Sequence, residues 1–118
     1  MHELSIAINV VSELELIVQK EKAIKVVSFT LRIGKLSGIV PEALDFALES
    51  AVKDTVCEGS TWSIETEEAI GKCSVCFHEF PMQEIYSPCP ACGAFNPDIV
   101  AGQGLKIVSV EIEEQNRI

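Results

Sequence analysis

Four of the five cysteines occur as two closely spaced pairs in the second half of the 118-residue chain. Cys73 and Cys76 form one C-x-x-C motif, Cys89 and Cys92 form another, and twelve residues separate the two motifs. Two such motifs at this distance predict a zinc ribbon, in which two tight turns direct four thiolates to one tetrahedral metal ion. Four thiolates leave zinc no open coordination position, so we expect a structural site rather than a hydrolytic one.

Disulfides, a redox C-x-x-C motif and an iron–sulfur site are the alternatives for these cysteines. The N-terminus does not resemble a signal peptide and no run of about 18 apolar residues occurs, so we predict a cytoplasmic protein without a membrane span. A reducing compartment disfavours disulfides, and a redox site would need only one such motif. The spacing alone does not distinguish zinc from iron, because both accept four thiolates in the same geometry. Cys57 stands apart, and we expect it to be a small buried hydrophobic residue.

The first three residues, Met1, His2 and Glu3, offer a second kind of metal site. The backbone amine of Met1, the His2 amide nitrogen and the imidazole Nδ1 of His2 can chelate one cation through adjacent five- and six-membered rings. A planar set of nitrogen donors suits Ni(II) or Cu(II) better than Zn(II). The first N–H groups of a helix have no intrahelical acceptor, so using one as a ligand breaks no helical hydrogen bond. Taken alone, however, a terminal histidine is more typical of a solvated side chain.

Composition restricts the kinds of partner and the kinds of chemistry. Eighteen acidic residues oppose nine basic ones, giving a net charge of −9. Nucleic acid is therefore a poor candidate partner, because its binding needs clustered cations. The apolar fraction of 47% is that of a folded globular domain. No phosphate-binding loop and no acid–base pair at recognisable spacing occur, so we predict no catalytic residues and no enzyme activity.

The hydrophobic pattern predicts two helices and three strands. Helices are expected at 3–21 and from Pro41 to about residue 53, and strands at 24–34, 61–68 and 105–114. We expect the first helix to bury the apolar residues at steps of three and four, namely Leu4, Ala7, Ile8, Val11, Leu14, Ile17 and Val18. In the strands we expect Val27, Phe29, Leu31 and Ile33, then Trp62 and Ile64, then Val108, Val110 and Ile112, to face the core.

These elements predict an α+β fold, with two helices packed on a three-stranded mixed sheet and an inserted zinc-ribbon subdomain. The stretch 70–102 is rich in Cys, Pro and Gly and lacks periodicity. The simplest arrangement pairs the two flanking strands as a hairpin that carries this insertion at its tip. Residues 1–69 and 103–118 would then form one domain, and 70–102 a zinc-binding one.

The opening MHELSIA, the later segment IGKLSGIVPEALDFALE and the two C-x-x-C motifs occur in an order that resembles the HypA/HybF family. These are nickel-delivery proteins of nickel–iron hydrogenase maturation, and the resemblance covers essentially the whole chain. It implies a metallochaperone that binds Ni(II) for transfer, with His2 as the essential side-chain ligand and Glu3 linked to nickel binding. It also implies structural Zn(II) on Cys73, Cys76, Cys89 and Cys92.

The resemblance further implies two partners, a nickel-inserting GTPase and the hydrogenase large-subunit precursor. The acidic outer face of the first helix would assist docking on a GTPase that presents basic groups. Some relatives carry histidines beside both cysteine motifs, but here only His78 is present, and Gly93 and Ala94 follow the second motif. We therefore expect His78 to be a solvated loop residue. The competing function is a zinc-ribbon scaffold protein that transfers no metal.

Overall fold

A computed structural model describes residues 3–115, and this part of the chain contains two helices and six strands. In chain order they are α1 (Glu3–Lys20), β1 (Ala23–Gly34), α2 (Pro41–Ala51), β2 (Thr61–Glu67), β3 (Ala69–Lys72), β4 (Glu79–Met82), β5 (Asp98–Ala101) and β6 (Leu105–Glu114). The described chain divides into two compact units. The first contains residues 3–31, 40–64 and 107–115, and the second contains Arg32–Ile39 and Glu65–Lys106.

The larger sheet has the strand order β2-β1-β6. Between β1 and β2, the hydroxyls of Thr30 and Ser63 lie 3.1 Å apart, and Arg32 Nε donates to Glu65 Oε1 at 2.7 Å. The residue numbers of these partners rise together, so β1 and β2 run parallel. This direction is expected, because α2 connects them as a crossover helix.

The same central strand pairs with β6 in the opposite direction. Ser28 Oγ donates to Glu111 Oε1 at 3.0 Å, and the Gly34 N–H donates to the Gly104 carbonyl at 2.8 Å. The residue number in β6 falls as the number in β1 rises, so β1 and β6 are antiparallel. The predicted mixed sheet is therefore confirmed. The predicted hairpin is wrong, because β1 lies between β2 and β6.

Both predicted helices form, and each packs one apolar face into the core of the first unit. α2 begins with Pro41 after Val40, whose backbone is extended, and Glu42 lies in the first turn. The predicted buried face of α1 is wrong at its start, because the side chains of Leu4 and Ile8 remain 52% and 50% exposed. The buried residues of the two helices are Ala7, Val10, Val11, Leu14, Val18, Leu44, Ala47 and Leu48.

The three predicted strands lie where the sequence pattern places them, but buried and exposed residues do not alternate strictly along them. In β1, Val26 and Phe29 are both buried although they are three residues apart, and Val27 is exposed. The Val26 N–H donates to the Val56 carbonyl in the segment after α2, which ties this part of the strand to that segment. In β6, Val108 is likewise exposed. The other two predicted residues of β6, Val110 and Ile112, are half-buried, and so are Leu105 and Ile107.

A second sheet with the order β4-β3-β5 lies in the stretch where the sequence pattern indicated no strands. β3 pairs antiparallel with both neighbours, so that Gly71 lies opposite Phe80 on one side and Ile99 on the other. Each of the three strands has only four residues. A strand this short carries two alternating positions at most on each face, which is too few to be read as a period.

Gly102 lies where the second sheet leads into β6, and its backbone conformation requires glycine. Its φ is +85°, in the left-handed region. Its N–H donates to Glu67 Oε1 at 3.1 Å, and its carbonyl accepts the Leu36 N–H at 2.9 Å. A Cβ at this position would overlap backbone atoms of Ala69 and Glu68. Neither backbone segment can move aside without breaking the sheet.

We expect Gly102→Ala to lower the free energy of unfolding by about 2 kcal/mol or more, because left-handed strain and a backbone clash add together. Gly59→Ala is the matched control. Gly59 has nearly the same φ of +84°, but a Cβ there would meet no atom within 4 Å. Urea unfolding of the metal-loaded proteins measures both losses. Equal losses for the two variants would contradict the close approach at Gly102.

Candidate metal centre

Each C-x-x-C motif folds into a tight turn, which we call the first knuckle (residues 73–78) and the second knuckle (residues 89–94). In the first, the Phe77 N–H donates to the Cys73 carbonyl at 3.0 Å, and the Cys73 N–H donates to the His78 carbonyl at 2.9 Å. In the second, the same two bonds join Gly93 to Cys89 and Cys89 to Ala94, at 2.8 and 2.9 Å. The two knuckles therefore share one backbone design.

The four cysteine sulfurs of the knuckles converge on one point. Cys73 Sγ lies 3.5 Å from Cys92 Sγ, and Cys76 Sγ lies 3.6 Å from Cys89 Sγ. All four ligand atoms lie within 4.8 Å of one another, and none of these cysteines forms a disulfide. A tetrahedral ion with metal–sulfur bonds of about 2.3 Å would separate its ligands by roughly 3.8 Å. The cluster therefore has the dimensions of a closed four-thiolate metal site.

Backbone N–H groups stabilise the charged form that a metal ligand needs. The N–H groups of Cys76 and Val75 point at Cys73 Sγ, at 3.4 and 3.3 Å. The hydrogen bond from Cys76 has the largest effect on the pKa of Cys73, and that from Val75 acts in the same direction. Together they lower this pKa to about 6, although burial of the thiol acts against them. The backbone at the first knuckle therefore favours the thiolate form of Cys73, which is the form that binds a divalent cation.

Two of the four cysteines also belong to the buried apolar core of the second unit. The buried cluster of the second sheet consists of Ala69, Cys73, Phe80, Met82 and Cys89. Leu36, Ala94 and Ile99 pack against it while remaining partly exposed. Five buried side chains, two of them thiols, give too little apolar burial to hold three short strands without a further stabilising interaction.

The remaining cysteine and the second histidine lie outside this cluster. Cys57 is fully buried, as predicted, and burial raises the pKa of its thiol to about 11. Such a thiol stays protonated and inert at neutral pH. The exposed His78 ring stacks on Phe80, with centroids 6.1 Å apart. The predicted solvent exposure of His78 is confirmed, although its ring is held by this contact.

The predicted nickel ligands Met1 and His2 lie outside the described residues, but Glu3 is described. It is the first residue of α1, and its Oε2 accepts the Val40 N–H at 3.3 Å, next to the start of α2. Its own backbone N–H and that of Val40 lower the pKa of the Glu3 carboxyl. Both hydrogen bonds stabilise the ionised carboxylate of Glu3 at the start of α1.

A family model, proteins of similar sequence and solved structures all match this chain to the same family. The family model described as "Hydrogenase/urease nickel incorporation, metallochaperone, hypA" matches residues 1–112. The hydrogenase maturation factor HypA of Geotalea uraniireducens is 40% identical to this chain, covering 96% of it and 100% of the relative. That of Geobacter sp. strain M21 is 41% identical with the same coverage.

Solved structures agree with these relatives. The solution structure of the Ni metallochaperone HypA from Helicobacter pylori superposes with a TM-score of 0.78, at 25% identity and 98% coverage of this chain. A second solution structure of a HypA protein gives 0.73, at 26% identity and 95% coverage.

The fold and the four-cysteine cluster define a small α+β metal-binding protein of the maturation-factor class. The chain belongs to the HypA family of nickel-incorporation metallochaperones. Within residues 3–115, neither helix is both long and apolar enough to cross a membrane.

Proposed function

We propose that this protein binds Ni(II) at its N-terminus and delivers it for maturation of a nickel–iron hydrogenase. The backbone amine of Met1 and the amide and imidazole nitrogens of His2 would form the chelate, with Glu3 as a further ligand. The observation that carries the proposal is the nickel-incorporation family model, whose match begins at Met1 and extends to residue 112. The Glu3 carboxylate at the start of α1 supports it, because a cation bound there gains a negatively charged neighbour.

The second metal in this proposal is Zn(II), which would be held by Cys73, Cys76, Cys89 and Cys92 and would stay in place. Its role is structural, because four thiolates complete its coordination and leave no position for substrate. The domain around it would comprise residues 70–102, and residues 1–69 and 103–118 would form the nickel-binding domain. The protein would therefore carry metal rather than catalyse a reaction.

Delivery requires other proteins, and we propose a nickel-inserting GTPase and the nickel-free hydrogenase large subunit as partners in the cytoplasm. The net charge of −9 supports protein partners with basic surfaces and disfavours nucleic acid. The described part of α1 carries the solvent-exposed Glu13 on its outer side. Such charges would increase the rate of encounter with a basic surface on the GTPase.

The experiment that tests nickel binding is equilibrium dialysis of the untagged, zinc-loaded protein against Ni(II). We expect about one equivalent of nickel beyond the resident zinc, and its loss in His2→Ala, because the imidazole closes one chelate ring. Affinity should also fall as the pH is lowered, since protons compete for the amine and the imidazole. The alternative function, a zinc-ribbon scaffold, predicts no nickel beyond background in either protein.

A further inference from the structure

The residue that follows the second cysteine has the same place in both knuckles but not the same chemistry. Phe77 and Gly93 each donate their N–H to the carbonyl of the first cysteine of their motif. Both have a left-handed backbone, with φ of +63° and +78° respectively. Glycine adopts this conformation freely, whereas a bulky aromatic residue does so only with strain. The first knuckle therefore holds a strained residue where the second shows that glycine fits.

Burial does not compensate for this strain, because the Phe77 side chain is 68% exposed. The aromatic contribution to the buried cluster comes instead from Phe80, which is 4% exposed. Folding of the second unit therefore gives no reason for an aromatic residue at position 77. Strained residues that the fold does not need are concentrated at functional sites.

The Phe77 ring contacts Lys72, which in turn lies opposite two acidic residues in the sheet. Lys72 Nζ lies 6.0 Å from the ring centroid, in position for a cation–π contact. Glu79 and Asp98 lie directly opposite Lys72 on the two neighbouring strands, so the three side chains share one face of the sheet. Val75 in the same knuckle is 67% exposed. These five residues constitute what we call the knuckle patch.

We infer that the knuckle patch is a docking surface, with Phe77 as its anchor, for a protein that presents an apolar socket rimmed by Lys or Arg side chains. An exposed aromatic residue beside charged groups is typical of the few residues that carry most of the energy of an interface. The patch has one positive and two negative side chains, so its rim is complementary to a basic surface. A second copy of the chain is disfavoured, because two chains of charge −9 repel each other.

The inference rests on the proposed function for the choice of partner. That proposal places GTPase docking on the acidic face of α1, which belongs to the first unit. The knuckle patch belongs to the second unit, and we assign it to the other partner, the nickel-free hydrogenase large subunit.

The test uses Phe77→Gly, Phe77→Asn and Phe77→Tyr in the full-length, zinc-loaded protein. Gly and Asn both tolerate a left-handed backbone, so these two variants should keep one equivalent of zinc and should unfold at a higher temperature than the wild type. Their dissociation constant for the large-subunit precursor should rise about tenfold or more, because the anchoring ring is lost. Phe77→Tyr keeps the ring and should bind within about threefold of wild type.

Phe46→Ala is the matched control, because Phe46 is another phenylalanine with 73% exposure but lies on α2 in the first unit. It should leave the affinity for the precursor unchanged. Glu79→Gln should weaken binding at low salt and have little effect at high salt, since screening removes the charge contribution.

Several outcomes would overturn the inference. Unchanged affinity in Phe77→Gly, or an equal loss in Phe46→Ala, would remove Phe77 as the anchor. Loss of GTPase binding instead of precursor binding would overturn the assignment of the partner. Failure of the wild-type protein to bind the precursor at all would overturn both this inference and the delivery role from which the partner was chosen.

Discussion

Cys89→Ser is expected to abolish stoichiometric zinc binding and to unfold the β4-β3-β5 sheet. Cys89 is 2% exposed, and its sulfur lies 3.6 Å from that of Cys76, so a shorter and unionised hydroxyl cannot take its place as a ligand. Structural zinc supplies on the order of 10 kcal/mol or more in small domains. The five-residue cluster of this sheet includes two of the four thiols, so loss of the metal removes its main stabilisation.

The first unit should survive the same substitution, because its buried residues come mainly from α1, β1 and α2 and include none of the four clustered cysteines. Leu14, Leu31, Leu44 and Leu48 are all fully buried there. Amide hydrogen exchange should therefore show loss of protection in β3, β4 and β5 only, with protection retained in the two helices. Zinc content is measured in parallel by atomic emission.

Cys57→Ala is the control for that experiment, because it also removes a buried thiol but one that lies outside the cluster. It should reduce the stability of the first unit modestly while keeping one equivalent of zinc. Full zinc retention in Cys89→Ser would contradict the four-thiolate assignment, whatever the effect on folding.

The parts of the fold that the sequence predicts are those in which a local pattern is long enough to be unambiguous. α1 has 18 residues and β1 has 12, so several turns or alternations repeat in each. The four-cysteine cluster is also predictable, because the C-x-x-C spacing by itself places two thiols in each tight turn. Pro41 marks the start of α2 for an equally local reason, since proline fixes φ and needs no hydrogen-bond acceptor there.

The parts that the sequence does not predict depend on contacts between distant residues. The position of β1 between β2 and β6 is fixed by pairs such as Thr30 with Ser63 and Ser28 with Glu111, which leave no local trace. The three short strands could have been suspected at Phe80 and Met82, which alternate around Pro81, but two positions do not establish a period. Likewise, the position of Leu4 on the hydrophobic stripe of α1 does not reveal that its side chain is 52% exposed.

In the proposed nickel chelate two of the ligands would be backbone nitrogens, which no side-chain substitution can remove. An extension ahead of Met1 converts its basic amine into an amide, which would have to lose a proton before it could bind a metal, so the five-membered ring loses its amine donor. His2 is unchanged by such an extension. We therefore expect an N-terminal Gly-Ser extension to damage nickel binding as severely as His2→Ala, although it removes no side chain.

Zinc would give an internal control for both changes, because the four cysteines proposed to bind it all lie between residues 73 and 92. Its content should remain at one equivalent in the extended protein and in His2→Ala. The same Gly-Ser dipeptide added after Ile118 controls for the extension itself, and it should bind nickel as the untagged protein does.

The measurement that tests the central claim most directly is a calorimetric titration with nickel. It compares the untagged and the N-terminally extended proteins at neutral and at mildly acidic pH. The terminal chelate predicts about one tight site in the untagged protein at neutral pH, a large loss of its affinity on acidification, and no such site in the extended protein. If the extended protein binds nickel as tightly as the untagged one, nickel is not held by the N-terminal amine and the proposed site is wrong.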